Sequence, residues 1–573
     1  MILRALYDYY QRCGNLPKPG MEYKEIGFVL VIDHDGKFLR IEDNRVDKSR
    51  AKSFLVKKHE NRSSNTAANH LYDSADYVLA FAQKGQDIAV KHFNAFKEKT
   101  LSIAQRHPHC AQMQALAAFY QQPIELIQQQ VFNDPLWPDV VKNLSKKYAT
   151  FSFRINGDLE IIAQKEELLA LADDSQCCDN AQFCLITGEK GEPVAITTAT
   201  MIPGSQATAK LVAFQENSGY DSYGKQKCFN APISTKAEFA YTTALNTLLS
   251  KDSRNKFYIG NRTFVFWASS SSESAIKAEQ SLYNLLGFVD NEADDPNARI
   301  DQVRKVFSAI FSGTLATTLD DRFFILGLAP NSARIAVVYW AELPLKEFAA
   351  RILKHFDDME VVDTRKEKKP YFGLHAMIAN VTRGGKTSDA SPNLPEAVAK
   401  SIFSGSQYPI QLLSACINRI HAEQTITIGR AAIIKAYLNR LNNNSQKITP
   451  MLDTSNTNQG YLCGRLFAIL VKIQKDANNI ETIAERYQSA ASATPAAVFP
   501  TLLNLSTHHR EKLSDGARIY YEKLIQEVVE KISADGFPTH LDLQDQGRFF
   551  IGYYHQRQNL FTSKSDNNNQ NNQ

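Results

Sequence analysis

Apolar positions recur at helical spacing at the start of the chain: Ile2, Leu3, Leu6, Tyr7 and Tyr10 predict a buried first helix. The pattern then changes. Residues 26–41 (IGFVLVIDHDGKFLRI) are two β-branched, apolar runs flanking Asp33-His34-Asp35-Gly36, and the Asp-Gly pair predicts a hairpin. Helical periodicity returns over 72–96 and 109–150. A second hairpin is expected from Cys184, with its turn at Gly188–Pro193. Residues 197–233 are rich in Gly, Ser, Gln, Asn and Thr and read largely as loop. Residues 235–250 read as a helix capped by Ser234 or Thr235, with Glu238 at capping-box spacing. Residues 257–268 read as two short strands around Gly260-Asn261.

From Leu394 onward nearly everything has a period of 3.6. Segments 395–404, 408–424, 428–442, 460–476, 479–491, 498–506 and 515–533 read as amphipathic helices. The fold class predicted is therefore α+β: mixed hairpins and helices over 1–393, then an all-helical bundle over 394–564. The Asn/Gln run at 565–573 reads as a disordered tail.

Composition narrows the function classes. A 43 % hydrophobic and 22 % charged chain builds full cores. Its apolar runs, such as Ile335–Ala341, are far below the ~20 residues a bilayer needs. Arg4, Asp8 and Arg12 interrupt any signal-peptide reading, and eight cysteines are too sparse for a disulfide framework, so a reducing cytoplasm is expected. The net charge is only +4, so a nucleic-acid partner would have to meet local patches. Two exist: Arg45, Lys48, Arg50, Lys52, Lys57, Lys58 and Arg62 dominate 43–62, and 351–450 holds 14 basic against 8 acidic residues.

The common catalytic motifs fail. Arg383-Gly-Gly-Lys-Thr387 invites a phosphate-loop reading, but the glycine that loop requires is Asn380, and Pro392 and Pro395 follow. His34-Asp35 sits on a hairpin tip without supporting ligands. Cys177, Cys178 and Cys184, or His107, His109 and Cys110, lack the paired knuckles of a structural zinc site. His421-Ala-Glu423 lacks a second histidine, and no G-x-S-x-G elbow occurs. The expectation is a chain with no catalytic residues, no metal and no cofactor. The alternative from another class is a nuclease or ATPase, and a third is a scaffold without DNA contact.

Particular stretches carry a resemblance. They are MILRALYDYYQR, EIGFVLVIDHDGKFLRIED from Glu25, HLYDSADYVL from His70, LVAF from Leu211, SYGKQKCFNAPIS from Ser222 and FAYTTALN from Phe239. IGNRTFVFWA from Ile259, YPIQLLSACINRI from Tyr408, RAAIIKAYLNR from Arg430, GRLFAILVKIQ from Gly464, SATPAAVFPTLL from Ser492 and GYYHQRQ from Gly552 continue it. In this order they resemble the large-subunit family of type I-C CRISPR Cascade complexes.

The resemblance implies a non-catalytic, cytoplasmic subunit of an RNA-guided antiviral complex. It would recognise the motif adjacent to the target in duplex DNA, stabilise the R-loop and recruit a separate helicase–nuclease. Its partners would be the backbone, guide-processing and small subunits around the guide RNA, the duplex target, the displaced single strand and the helicase–nuclease, with no membrane. It also implies that a small subunit, 451–573, can be translated from an internal start, for which Met451 is the candidate.

Residue type and loop context then select the contacts. Motif reading is expected from Lys57, Lys58, Arg62, Asn65 and Asn69, with Gln206, Lys225, Gln226 and Asn230. Backbone contact is expected from Arg419, Arg430, Lys435 and Arg440. The last three are five residues apart, spread around a helix, and so are expected not to be buried together. In the last segment Arg465, Lys472, Lys475 and Arg486 are the expected strand-binding cations.

Overall fold

The structure is a computed structural model. It describes residues 2–14, 16–60, 67–82, 85–146, 148–169, 181–200, 202–214, 224–250, 253–259, 261–285, 296–364, 371–441 and 447–561. Arg62, Asn65, Cys177, Cys178 and the 565–573 tail lie outside the described residues. The α+β class is observed. Packing divides the chain into two compact units: Cys13–Ala195 with Asp221–Thr243, and Met1–Arg12 with Ile196–Tyr220 and Ala244–Gln573.

The first of these is built on a four-stranded sheet in the order Phe38–Asp43, Phe28–Ile32, Phe151–Ile155, Tyr72–Asp73. Phe28–Ile32 is apolar at every position and buried at every position, as a strand covered on both faces must be. It runs antiparallel to Phe38–Asp43 and parallel to Phe151–Ile155, with Phe28 opposite Phe151 and Ile32 opposite Ile155. The predicted hairpin at Asp33–Gly36 is present. Asp33 Oδ1 accepts from the amides of Asp35 (3.0 Å) and Lys37 (2.8 Å). Gly36 has φ +80°, and a Cβ there would lie 2.5 Å from the Ala115 carbonyl oxygen, so the turn needs glycine twice over.

Helices Ala75–Leu79, Gln86–Arg106, Ala111–Gln121, Ile124–Phe132 and Trp137–Asn143 share the core of this sheet. The single helical stretch expected over 72–96 is thus a strand residue pair, a short helix ended by Ala80 at φ 49°, and the start of a long helix. The expected second hairpin is reduced to Gln182–Phe183 against Lys190–Gly191. The cap at Ser234 is formed: its hydroxyl accepts from the Ala237 amide at 3.3 Å.

The other unit carries an antiparallel sheet in the order Arg334–Pro344, Arg322–Asn331, Arg262–Ala268, Lys256–Ile259. Helices Glu273–Leu285, Pro296–Ser312 and Leu345–Met359 are followed by the helical series from Leu374–Val381 to Leu543–Phe561. One continuous core runs from Phe257 to Tyr554. The change at residue 394 is therefore a change of element type inside one packing unit, because this sheet and the C-terminal helices bury their apolar faces against each other.

Two helices of this series are not amphipathic as expected. Ile428–Asn439 is buried at every position from Ile428 to Leu438, and Gln459–Asn478 at every position from Gly460 to Val471. Each is surrounded by other helices. The last helix, Leu543–Phe561, did not stand out in the periodicity; it lies against Gln459–Asn478 so closely that a Cβ on Gly464 would overlap the Phe549 carbonyl oxygen. Among the described residues no helix is long and apolar enough to cross a membrane.

Candidate nucleic-acid interface

The stretch 52–69 is organised by a two-stranded ribbon. Ser53–Lys57 pairs antiparallel with Met21–Glu25, Lys57 opposite Met21. Tyr72 fastens it: its one hydroxyl proton is shared between the Lys57 carbonyl (2.8 Å) and Glu22 Oε1 (3.1 Å). Burial opposes ionisation of Glu22, but hydrogen bonds and charge from His59, 2.9 Å away, with help from Tyr72, hold its carboxyl below the usual range.

Residues 61–66 carry Arg62 and Asn65. The chain on either side of them is drawn together by two side chains. Asn69 Oδ1 accepts from the Glu60 amide at 3.0 Å, while the Asn69 amide donates to Asp73 Oδ2 at 2.9 Å. Lys99 Nζ reaches Glu60 Oε1 at 2.7 Å and the Ala68 carbonyl at 2.6 Å. Asn69 is thus buried and committed to the clamp, which corrects its assignment as a base-reading side chain. Its side-chain oxygen holds the Glu60 amide, and its exposure is 8 %.

A cation cluster forms beside this clamp. Lys57 is half-buried and Lys58 exposed. Burial lowers the Lys57 pKa, and the positive charges of Arg106 and Lys99 lower it further. The same three cations act on His70, which burial above all pushes down to about 3; its Nε2 lies 3.2 Å from the Leu168 carbonyl. His70 is therefore neutral, and Lys57, Lys99 and Arg106 concentrate positive charge around it. Sequence reasoning missed Lys99 and Arg106. They are seven residues apart on Gln86–Arg106, two turns along one face, and that spacing was the available signal. Like charges that act on one another repel, and a bound polyanion relieves the repulsion.

Residues 224–230 belong to the same compact unit. Gly224 (φ 70°) and Lys227 (φ 53°) both have left-handed backbone, and Asn230 Nδ2 donates to the Lys225 carbonyl at 3.0 Å. Asn230 thereby closes the loop, while Lys225 and Gln226 are exposed at its tip. Gln206 belongs to the other unit, where its amide and side chain contact Ser332 in the turn after Arg322–Asn331.

The C-terminal cations divide. Arg430, Lys435 and Arg440 are all buried, against expectation, because the helix that carries the first two and ends beside the third has no solvent face. Arg430 binds the carbonyls of Asn380 (3.0 Å) and Thr425 (2.8 Å) and the Glu423 carboxylate. Lys435 binds the carbonyls of Asp357 (2.8 Å) and Asp358 (3.1 Å). Arg440 binds Asp358 and the carbonyls of Ser401 and Ser406, and stacks on Tyr408, 4.2 Å from the ring centre. Arg465 is likewise enclosed, bonded to Gln556 (3.0 Å) and Glu527 (2.8 Å). These four are internal ties. Arg419 is half-buried and paired with Glu423; Arg486 is exposed. Lys472 pairs with Asp476 and Lys475 with Glu481, both at 2.5 Å, and both lysines lie near the Phe561 ring together with Arg557.

Among the described residues no three His, Cys, Asp or Glu side chains gather as metal ligands would. Asn380, where a phosphate loop needs glycine, is a helical residue bonded to Thr427.

The search of the curated proteins found no match. A family model described as CRISPR-associated protein (Cas_Csd1) matches residues 6–561. That match spans both compact units, so the chain belongs to the Cas_Csd1 family of CRISPR-associated proteins.

Proposed function

We propose that this chain is the non-catalytic large subunit of a type I-C Cascade. In this reading it recognises the protospacer-adjacent motif in duplex DNA, stabilises the R-loop and recruits the helicase–nuclease. The observation that carries the reading is the clamp that Asn69 and Lys99 form with Glu60 and Ala68, beside the cation cluster of Lys57, Lys99 and Arg106.

The chemistry fits a division of labour. Clustered cations neutralise phosphates regardless of sequence and set the register on the duplex. Arg62 and Asn65, on the stretch whose ends are clamped, and Lys225 and Gln226, at an exposed loop tip, supply donors and acceptors for base edges. Base pairing with the guide reads the remaining sequence. The partners in this reading are the guide-bearing backbone, guide-processing and small subunits, the duplex and its displaced strand, and the helicase–nuclease.

The test compares complexes assembled with and without this chain, in a gel shift on motif-bearing and motif-lacking duplexes. Motif discrimination should appear only with the chain present. Equal binding to both duplexes would remove the motif-reading role. Metal- or ATP-dependent turnover by the chain alone, lost on Lys386→Ala, would favour the enzymatic alternative instead.

A further inference from the structure

The Arg383-Gly-Gly-Lys386 segment fails as a nucleotide-binding loop, yet its geometry is distinctive. Arg383, Gly384, Gly385 and Lys386 are all exposed. Arg383 and Lys386 have no carboxylate within ion-pairing distance among the described residues. Other cations of the same unit do: Arg304 with Asp357 at 3.2 Å, Arg351 with Glu347 at 2.5 Å, Lys472 with Asp476 at 2.5 Å.

Gly384 and Gly385 have φ of 59° and 72°, and a Cβ on either would meet nothing within 4 Å. The two glycines reverse the backbone hand between the cations and leave a stretch of main chain bare to solvent. A flat, charged surface can approach there without meeting a side chain.

The residues that lead into the segment are also held firmly. The segment follows helix Leu374–Val381, whose last turn is tied down from a buried helix. Arg430 Nε donates to the Asn380 carbonyl at 3.0 Å, and the Thr427 hydroxyl donates to Asn380 Oδ1 at 2.8 Å. Thr382, buried, donates its hydroxyl to the Ile378 carbonyl at 3.1 Å. A helix C-terminus carries partial negative charge and repels anions. The Arg430 guanidinium on the Asn380 carbonyl offsets that charge where the exposed cations begin. Pre-ordering of the loop lowers the entropy lost when it binds.

We infer that Arg383–Lys386 is a sequence-independent contact for a phosphodiester backbone, with Arg383 and Lys386 neutralising phosphates and Gly384-Gly385 letting the backbone come close. It goes beyond motif reading, which the proposed function assigns to the other compact unit. The phosphate chemistry is shared by target DNA and guide RNA, and the test separates them.

Complexes carrying R383A/K386A are compared with unmodified ones across a salt series, on motif-bearing and motif-lacking duplexes, with guide RNA retention measured in parallel. Loss of two contacts to B-form DNA should reduce the slope of log affinity against log salt by about 1.8, equally for both duplexes. If the contact is to the guide, retention of guide RNA falls with salt and the DNA slope is unchanged. R383K/K386R should restore whichever property is lost. An unchanged DNA slope together with unchanged guide retention overturns the inference. An unmodified complex that does not discriminate the two duplexes sinks the motif-reading role alone, since the salt slope still judges this loop.

Discussion

Arg440 Nε lies 2.6 Å from the carboxylate of Asp358, and both side chains are buried, 1 % and 9 % exposed. The pair joins the end of helix Ile428–Asn439 to helix Leu345–Met359, eighty-two residues earlier in the chain. Around it, Lys435 caps the carbonyls of Asp357 and Asp358, and His355 is hydrogen-bonded to Tyr408 (2.6 Å) and to the Phe372 carbonyl (2.8 Å). A cation in such a place stabilises through geometry, since removing it leaves the buried carboxylate with Lys354 alone, whose Nζ lies 3.1 Å from both oxygens. Arg440→Ala should cost about 3–5 kcal/mol in chemical denaturation. A loss below about 1 kcal/mol, the range of an exposed pair, would show that Lys354 alone satisfies Asp358.

Gly464 and Phe549 set the spacing of the central helix pair. Gly460 makes the same close approach one turn earlier, where a Cβ would lie 2.6 Å from the Asp545 carbonyl oxygen. Gly464→Val should lower stability by about 1–3 kcal/mol or more, because the helices must separate. Gly516→Ala is the control: it lies in helix Asp515–Val529 with open space around it and should be neutral or stabilising by up to about 1 kcal/mol. Equal melting temperatures for the two variants would contradict the close-packing account.

Phosphate and base contacts should separate by salt. Lys99→Ala and Arg106→Ala should each reduce the salt slope of DNA binding by about 1 and weaken all duplexes alike. Arg62→Ala and Asn65→Ala should instead reduce discrimination between motif-bearing and motif-lacking DNA by about 1–3 kcal/mol. The measurement is equilibrium binding by the assembled complex at several salt concentrations. Discrimination lost with Lys99 and Arg106 but kept without Arg62 and Asn65 would reverse the roles.

Two buried histidines, His355 and His555, and the half-buried His70 make the protein acid-sensitive. Burial pushes His70 and His555 down to about 3 and His355 to about 4. An unfolded chain binds those protons near pH 6.5, before the folded one does. Stability is therefore complete above about pH 6.5 and falls as pH drops towards 4, by about 1.4 kcal/mol per pH unit for each histidine that stays neutral. His355→Gln should make the pH dependence shallower between pH 6 and 4. An unchanged slope would mean that His355 already titrates normally.

Met451 should begin a second, shorter product in expression from this single coding sequence. It is half exposed, next to Pro450, whose carbonyl accepts from the Val362 amide at 2.8 Å. A chain starting there keeps the pair Gln459–Asn478 and Leu543–Phe561. It loses Leu413, Ile434 and Leu438, which pack around Gly547, so it must cover that face with a partner. Intact-mass analysis should find a species beginning at Met451, and Met451→Leu should abolish it. A short product that persists in the variant places the start elsewhere.

Local patterns determined by the sequence alone proved sound where a single element satisfies itself. The FVLVI run, the Asp-Gly turn and the Ser234 cap each need only neighbours within a few residues, and each formed as expected. The positive stretch around Lys57 and Lys58 was equally legible, because a run of cations is read directly from the order of residues. Tertiary structure decided the rest. Phe28–Ile32 pairs in parallel with Phe151–Ile155, more than a hundred residues away, a register no local period encodes. Lys99 and Arg106 joined the cation cluster only when their helix was laid beside the ribbon. Arg430, Lys435, Arg440 and Arg465 look like solvated cations on paper, since charge is normally kept in water. Three-dimensional packing surrounded their helices and supplied each with carbonyls or carboxylates, and a guanidinium or ammonium so paired can then be buried. Period 3.6 marks a helix; which of its faces meets solvent depends on how many neighbours pack around it.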